Sequence, residues 1–160
     1  MQFSENWLRS FVDPDLSTDA LGHAMTMAGL EVEAQQPAGV VFSNVVIGEI
    51  MAAEKHPDAD RLQVLKVNIG KETLQIVCGA ANAKVGLKAP CALVGAALPG
   101  LEIKQASVRG VESFGMMCSA KELGLAETAD GLLALPSNAE IGQDIRDYLS
   151  LNDTLFTLKL

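Results

Sequence analysis

The chain has 160 residues, three cysteines, two histidines and a net charge of −8. That length can bury a core in one domain or two small ones without disulfide staples. The apolar neighbours of Cys78, Cys91 and Cys118 mark reduced, buried thiols. No C-x-x-C, no leader and no long apolar run occurs, so zinc ligation is unsupported and a cytoplasmic chain without membrane contact is expected.

The first forty residues read as helical. Ser4 can cap one helix and Ser17 a second, whose Leu21, Ala24, Met25 and Ala28 form an apolar stripe that stops at Gly29. Gln35 to Gly39 reads as a linker. From Val45 the period changes to short strands: Val45 to Met51, Leu62 to Ile69, Thr73 to Cys78, Ala89 to Val94, and a last one around Ser107 to Cys118. Glycines 70, 79, 86, 95, 100 and 110 punctuate them as in a small all-β barrel. Five strands suit an OB-fold, and pattern alone leaves an SH3-like barrel open. Ser119-x-x-Glu122 is a capping box for about one helical turn, and Ser137-x-x-Glu140 opens a helix with Ile141, Ile145 and Leu149 on one side. The final stretch, Leu155 to Leu160, alternates with Phe156, Leu158 and Leu160 on one face, and such a strand running into the chain end suggests a fragment. The expected fold class is α+β, mainly β.

Charge is unevenly shared. Residues 44–124 hold nine Lys or Arg against eight Asp or Glu, a net of +1, while the flanks carry −9. Any electrostatic binding by the central segment must therefore come from clustering on one face. In Lys55-His56-Pro57-Asp58-Ala59-Asp60-Arg61, the cations Lys55, His56 and Arg61 could crown one end of the barrel and contact phosphates, with Asp58 and Asp60 orienting them. The plainer reading is a solvated loop. Asn82, after the small residues Cys78-Gly79-Ala80-Ala81, either satisfies its own turn or offers an amide to a base edge or 2′-hydroxyl; Lys84 and Lys88 flank it. Lys104, Arg109 and the hydroxyl of Ser113 complete the candidate set.

Other chemistries fit poorly. Gly110 to Gly115 is spaced like a phosphate loop, but Met116 stands where the lysine is needed. Cys118 with His56 could imitate a thiol–histidine pair, yet the thiol lies in an apolar strand and no third group orients the ring. Catalytic residues and metal ligands are not expected. Phe114 is the one aromatic residue between Asn44 and Gly124, so base stacking along an extended strand is not expected; a folded RNA read through its backbone is.

Several motifs in order carry a resemblance: His56-Pro57-x-Ala59-Asp60-x-Leu62, Ile76-Val77-Cys78-Gly79-Ala80 with Asn82, Leu98-Pro99-Gly100, and Ser113-x-Gly115-Met116-x-Cys118-Ser119 with Glu122-Leu123-Gly124. Together they resemble the tRNA-binding OB domain attached to several aminoacyl-tRNA synthetases. Met1-Gln2-Phe3-Ser4-Glu5-Asn6-Trp7-Leu8, Met27 to Glu33, Asp130-Gly131-Leu132 and Ile141 to Ile145 extend the similarity to the N-terminal part of bacterial phenylalanyl-tRNA synthetase beta chains. The resemblance implies a five-stranded OB barrel inserted into a small helical/β domain, with boundaries at 1–40, 41–150 and 151–160. It further implies a non-catalytic piece of an assembly of two alpha and two beta chains that uses ATP and magnesium to attach phenylalanine to its tRNA. The expected RNA-facing residues are Lys55, His56, Arg61, Asn82, Lys84, Lys88, Lys104, Arg109 and Ser113. A structural module that positions neighbouring domains, without useful RNA affinity, is the alternative; DNA is not an expected partner.

Overall fold

A computed structural model describes residues 1–159 and divides the chain into two units, Met1–Gly39 with the residues from Ser150 on, and Val40–Leu149. In chain order the elements are β1 (Gln2–Ser4), α1 (Glu5–Arg9), α2 (Thr18–Met27), β2 (Val32–Pro37), β3 (Val45–Lys55), β4 (Gln63–Asn68), β5 (Thr73–Cys78), β6 (Lys88–Leu93), β7 (Ala97–Leu98), β8 (Leu101–Glu102), β9 (Ala106–Val108), β10 (Val111–Ser113), β11 (Gly115–Met117), α3 (Ile145–Tyr148) and β12 (Thr154–Leu158).

In the smaller unit, Ser4 and Ser17 cap α1 and α2, their side chains accepting from the backbone N–H of Trp7 and Ala20. Each cap satisfies a donor that the first helical turn leaves unpaired. Helix α2 ends at Ala28, and Gly29 takes up the left-handed φ of +99° that closes such an end. Its buried residues are Leu21 and Gly22, not the stripe through Ala24 and Ala28, both of which are exposed. The missing side chain at Gly22 lets Gln35 and Phe156 press against the helix. The segment expected to be helix and linker contains strand β2, because β12 pairs with it on one side and with β1 on the other. That partner lies over a hundred residues away, so local periodicity could not announce it. Phe156 and Leu158 are buried in β12; Leu160 lies outside the described residues.

The larger unit is mainly β and OB-like. Its antiparallel sheet has the order β11-β6-β3-β4-β5 and is nearly closed into a barrel. Strand β3 is the spine, pairing with β6 through Val45–Glu49 and with β4 through Glu49–Lys55. Met51 is the extra residue at a register shift between Ile50 and Ala52, and a bulge of this kind bends a long strand so that it can serve both neighbours. The two ends of the sheet meet between β5 and the Glu112–Gly115 segment. There Phe114 N–H donates to Gln75 O at 2.8 Å, and Gln75 Nε2 donates to Glu112 O at 2.9 Å. Ser113 Oγ accepts from Val77 N–H and donates to Gly115 O, each at 3.0 Å.

Ile50, Leu65, Val67, Ile69, Ile76, Ala89, Cys91 and Met117 fill the barrel. Full burial of a Val, Leu, Ile or Met contributes roughly 1.5–3 kcal/mol, so this set is the main source of the unit's stability. Three expected elements differ. The strand placed around Ser107 to Cys118 is β9, β10 and β11, because Arg109 and Gly110, at φ +48° and +85°, turn the chain into a hairpin. Ser119 and Glu122 do exchange their capping-box bonds, Ser119 N–H to Glu122 Oε2 at 3.0 Å and Glu122 N–H to Ser119 Oγ at 3.4 Å, but they close turns and no α-helix follows. The helix expected from Ser137 shrinks to α3, capped by Asp144, since Ile47 N–H and O bond Gln143 O and Gly142 N–H and hold residues 142–143 in a turn against β3.

Candidate functional site

One end of the barrel carries part of the central segment's positive charge. Lys55 closes β3, the loop from His56 to Leu62 follows, and β5 ends opposite at Cys78, which pairs with Gln63. Lys55, Asp60, Arg61, Leu62, Gln63 and the small residues Gly79, Ala80 and Ala81 line a cleft of about 570 Å³. Lys55 Nζ lies 3.4 Å from Asp60 Oδ1, with both side chains largely in water. Such a pair is worth at most about 1 kcal/mol, so it orients Lys55 without withdrawing it from a ligand. Arg61 is exposed. Lys84 follows Ala83, whose carbonyl accepts from Gln63 Nε2 at 3.4 Å, and is exposed at the same end.

Gly79 and Ala80 also line a second cleft with Met116, Ser119, Lys121, Glu122 and Gly131 among its walls. Lys121 thus joins the cationic end, although sequence reasoning passed it over. Its single signal is the charge itself; only the fold brings it beside Gly79. Two open clefts that share the small residues Gly79 and Ala80, with the ammonium and guanidinium groups of Lys55, Arg61 and Lys121 in their walls, can admit a polyanionic backbone.

Several expected contact residues have other work. His56 is 2% exposed; its Nδ1 accepts from Asp58 N–H and its Nε2 bonds Val108 O, each at 2.9 Å. A backbone N–H can only donate, so Nδ1 carries no proton, the ring is neutral and Nε2–H is the donor. It is not a cation turned toward phosphate. Asn82 grips a loop: Leu132 N–H donates to its Oδ1 at 2.9 Å and its Nδ2 donates to Leu132 O at 3.0 Å. Gly131 makes that approach possible, since a Cβ there would stand 2.5 Å from Asn82 Oδ1. Lys88 donates to Ser137 O at 2.6 Å and Ala139 O at 2.7 Å, and Ser113 is the buried barrel closure. Lys104 follows Ile103, which is tied to Gly95 and Ala96 beyond the opposite end of β3. Arg109 is exposed at the tip of the β9–β10 hairpin, next to the Val108 carbonyl that His56 holds.

Replacing Asn82 by alanine would strand Leu132 N–H and O together, and a buried polar group left unpaired costs about 1–3 kcal/mol. The expected loss is about 2 kcal/mol of unfolding free energy in urea. An unchanged midpoint for the alanine variant would remove the clamp from the account.

The thiols are quiet. Burial pushes Cys91 and Cys118 up to about 12 and also raises Cys78. They remain protonated near neutrality, the form that is neither nucleophile nor ligand. Among the described residues no helix is long and apolar enough to cross a membrane.

A family described as "Putative tRNA binding domain" matches residues 45–144. The phenylalanine–tRNA ligase beta subunit of Aromatoleum aromaticum is 64% identical over 161 aligned residues, covering all of this chain and 20% of that protein. The corresponding subunit of Thiobacillus denitrificans is 62% identical, covering all of this chain and 21% of its own length. The chain therefore spans about one fifth of the length of these curated relatives. Among solved structures, a MetRS-related protein from Pyrococcus horikoshii is 28% identical, covering 62% of this chain and 85% of that one at a TM-score of 0.47.

Proposed function

The chain belongs to the family of putative tRNA-binding domains, and from that membership we propose that its barrel contacts the sugar–phosphate backbone of a folded tRNA. In this reading it acts as a non-catalytic part of a cytoplasmic phenylalanine–tRNA ligase, in which an alpha chain works with the beta chain and ATP and magnesium serve the whole enzyme. The observation that supports the reading most directly is the placing of Lys55, Arg61 and Lys121 in the walls of the two clefts that share Gly79 and Ala80, with Lys84 exposed on the loop that follows. Arg109 stands at the adjoining hairpin tip. The Val40–Leu149 unit is then the RNA-handling domain, and the unit of Met1–Gly39 with the residues from Ser150 on a separate one whose chain carries it as an insert.

With a net charge of only +1 over residues 44–124, attraction must come from local clustering, and it is correspondingly sensitive to screening. Titration of the chain with folded tRNA at ~50 to ~200 mM salt is expected to give an affinity that falls linearly with log salt, by about 0.7–0.9 log units of affinity per log unit of salt for each phosphate neutralised. Absence of binding at low salt, or affinity indifferent to salt, would instead favour the purely positioning module to which the weak net charge also lends support.

A further inference from the structure

The buried imidazole of His56 joins two segments that would otherwise move independently. On one side Nδ1 accepts from Asp58 N–H inside the His56–Leu62 loop, which is also closed by His56 N–H to Leu62 O at 3.0 Å. On the other, Nε2–H donates to the carbonyl of Val108, the last residue of β9. The β9–β10 hairpin is anchored at its base by Ser113 and Phe114 on β5. Its tip is Arg109-Gly110, and Arg109 sits at φ +48°, a conformation unfavourable for a side chain of this size. A strained two-residue turn on a short hairpin opens easily unless something holds it.

We propose that His56 is a positioning residue: through Val108 it holds the hairpin tip, and therefore Arg109, beside the Lys55–Arg61 loop. This rests on the RNA-backbone reading above for its purpose, but the clasp itself is a property of the fold. The two ring nitrogens perform separable tasks. In His56→Asn the side-chain oxygen falls near the position of Nδ1 and keeps the loop turn, while the donor to Val108 is lost. In His56→Gln the amide nitrogen reaches the position of Nε2 and keeps the hairpin. His56→Ala loses both.

The experiment uses the 160-residue chain and these variants, each alone and combined with Arg109→Ala, with two readouts: amide hydrogen exchange in β9 and β10, and affinity for folded tRNA at low salt. Arg109→Ala is expected to weaken binding about fivefold, the scale of one exposed charge contact. His56→Asn should accelerate exchange at the hairpin and lose the same factor, with no further loss when Arg109→Ala is added; His56→Ala should loosen the hairpin as much and lose at least that factor. His56→Gln should stay close to the parent in hairpin exchange and keep the fivefold loss on adding Arg109→Ala. Equal hairpin protection in His56→Asn, or a full additional loss on adding Arg109→Ala to it, would overturn the clasp. So would a His56→Gln hairpin as loose as that of His56→Ala. A parent chain that binds no tRNA would defeat the RNA-backbone reading alone, since hairpin exchange still decides whether His56 holds the tip.

Discussion

Gly115→Ala is expected to lower the unfolding free energy by about 2–5 kcal/mol. Gly115 adopts φ +144°, and a Cβ built there would stand 2.6 Å from the carbonyl oxygen of Ala92 and 3.5 Å from Ile76 Cδ1. The first neighbour is backbone of β6, the strand with which β11 pairs, so it cannot swing aside as a flexible side chain would. Relief requires β11 to lift from β6, and because Gly115 O accepts from Ser113 Oγ, the closure against β5 is strained as well. Urea unfolding measures the effect. Gly110→Ala is the control: that residue also has a positive φ, +85°, but nothing lies within 4 Å of its would-be Cβ. It should cost only the backbone strain, about 1–2 kcal/mol. Equal destabilisation by the two substitutions would show that the close approach to β6 is not what requires glycine at 115.

The largest binding effect is expected from Arg61→Glu with Lys84→Glu. Both side chains are exposed at the cationic end, so the pair should leave the unfolding midpoint within about 0.5 kcal/mol of the parent. Each reversal replaces an attraction to phosphate by a repulsion, and a loss of about tenfold in tRNA affinity for each is expected at ~0.1 M salt. The slope of log affinity against log salt should shrink by about 0.7–0.9 for each phosphate released. Lys104→Glu supplies the comparison, since it removes a cation tied to the opposite end of the barrel. At ~0.1 M salt charges more than about 10 Å apart are largely screened, and its effect should be small. If all three substitutions act alike, binding follows overall charge and the cationic end has no special role. If none acts, the positioning module is the better account of the chain.

Parts of this architecture were legible along the chain because they depend on neighbours. The caps at Ser4 and Ser17 are satisfied by N–H groups three residues on, and the strands β4 and β5 follow the periodicity of their own segments. The glycine pattern and the motif order led to the tRNA-binding family, which the match over residues 45–144 shows. The mainly β, five-stranded barrel followed from the same signals. By contrast, β2 needs β12, the turn at Arg109-Gly110 puts an arginine where Asn, Asp or Gly is usual, and the helix expected from Ser137 yields to pairing with Ile47.

The candidate site divides along the same line. Sequence alone determined which residues carry charge and that the cations concentrate between Asn44 and Gly124, since composition does not depend on conformation. It could not tell a side chain that meets solvent from one whose polar atoms are consumed by the fold. That was decided by contacts between distant segments: His56 to Val108, Asn82 to Leu132, Lys88 to Ser137 and Ala139, and Ser113 to Val77. His56 and Ser113 are buried and must find a partner or lose roughly 1–3 kcal/mol, while the half-buried Asn82 and Lys88 spend their polar atoms on neighbouring backbone, so such contacts turn a candidate ligand contact into a fastening of the barrel.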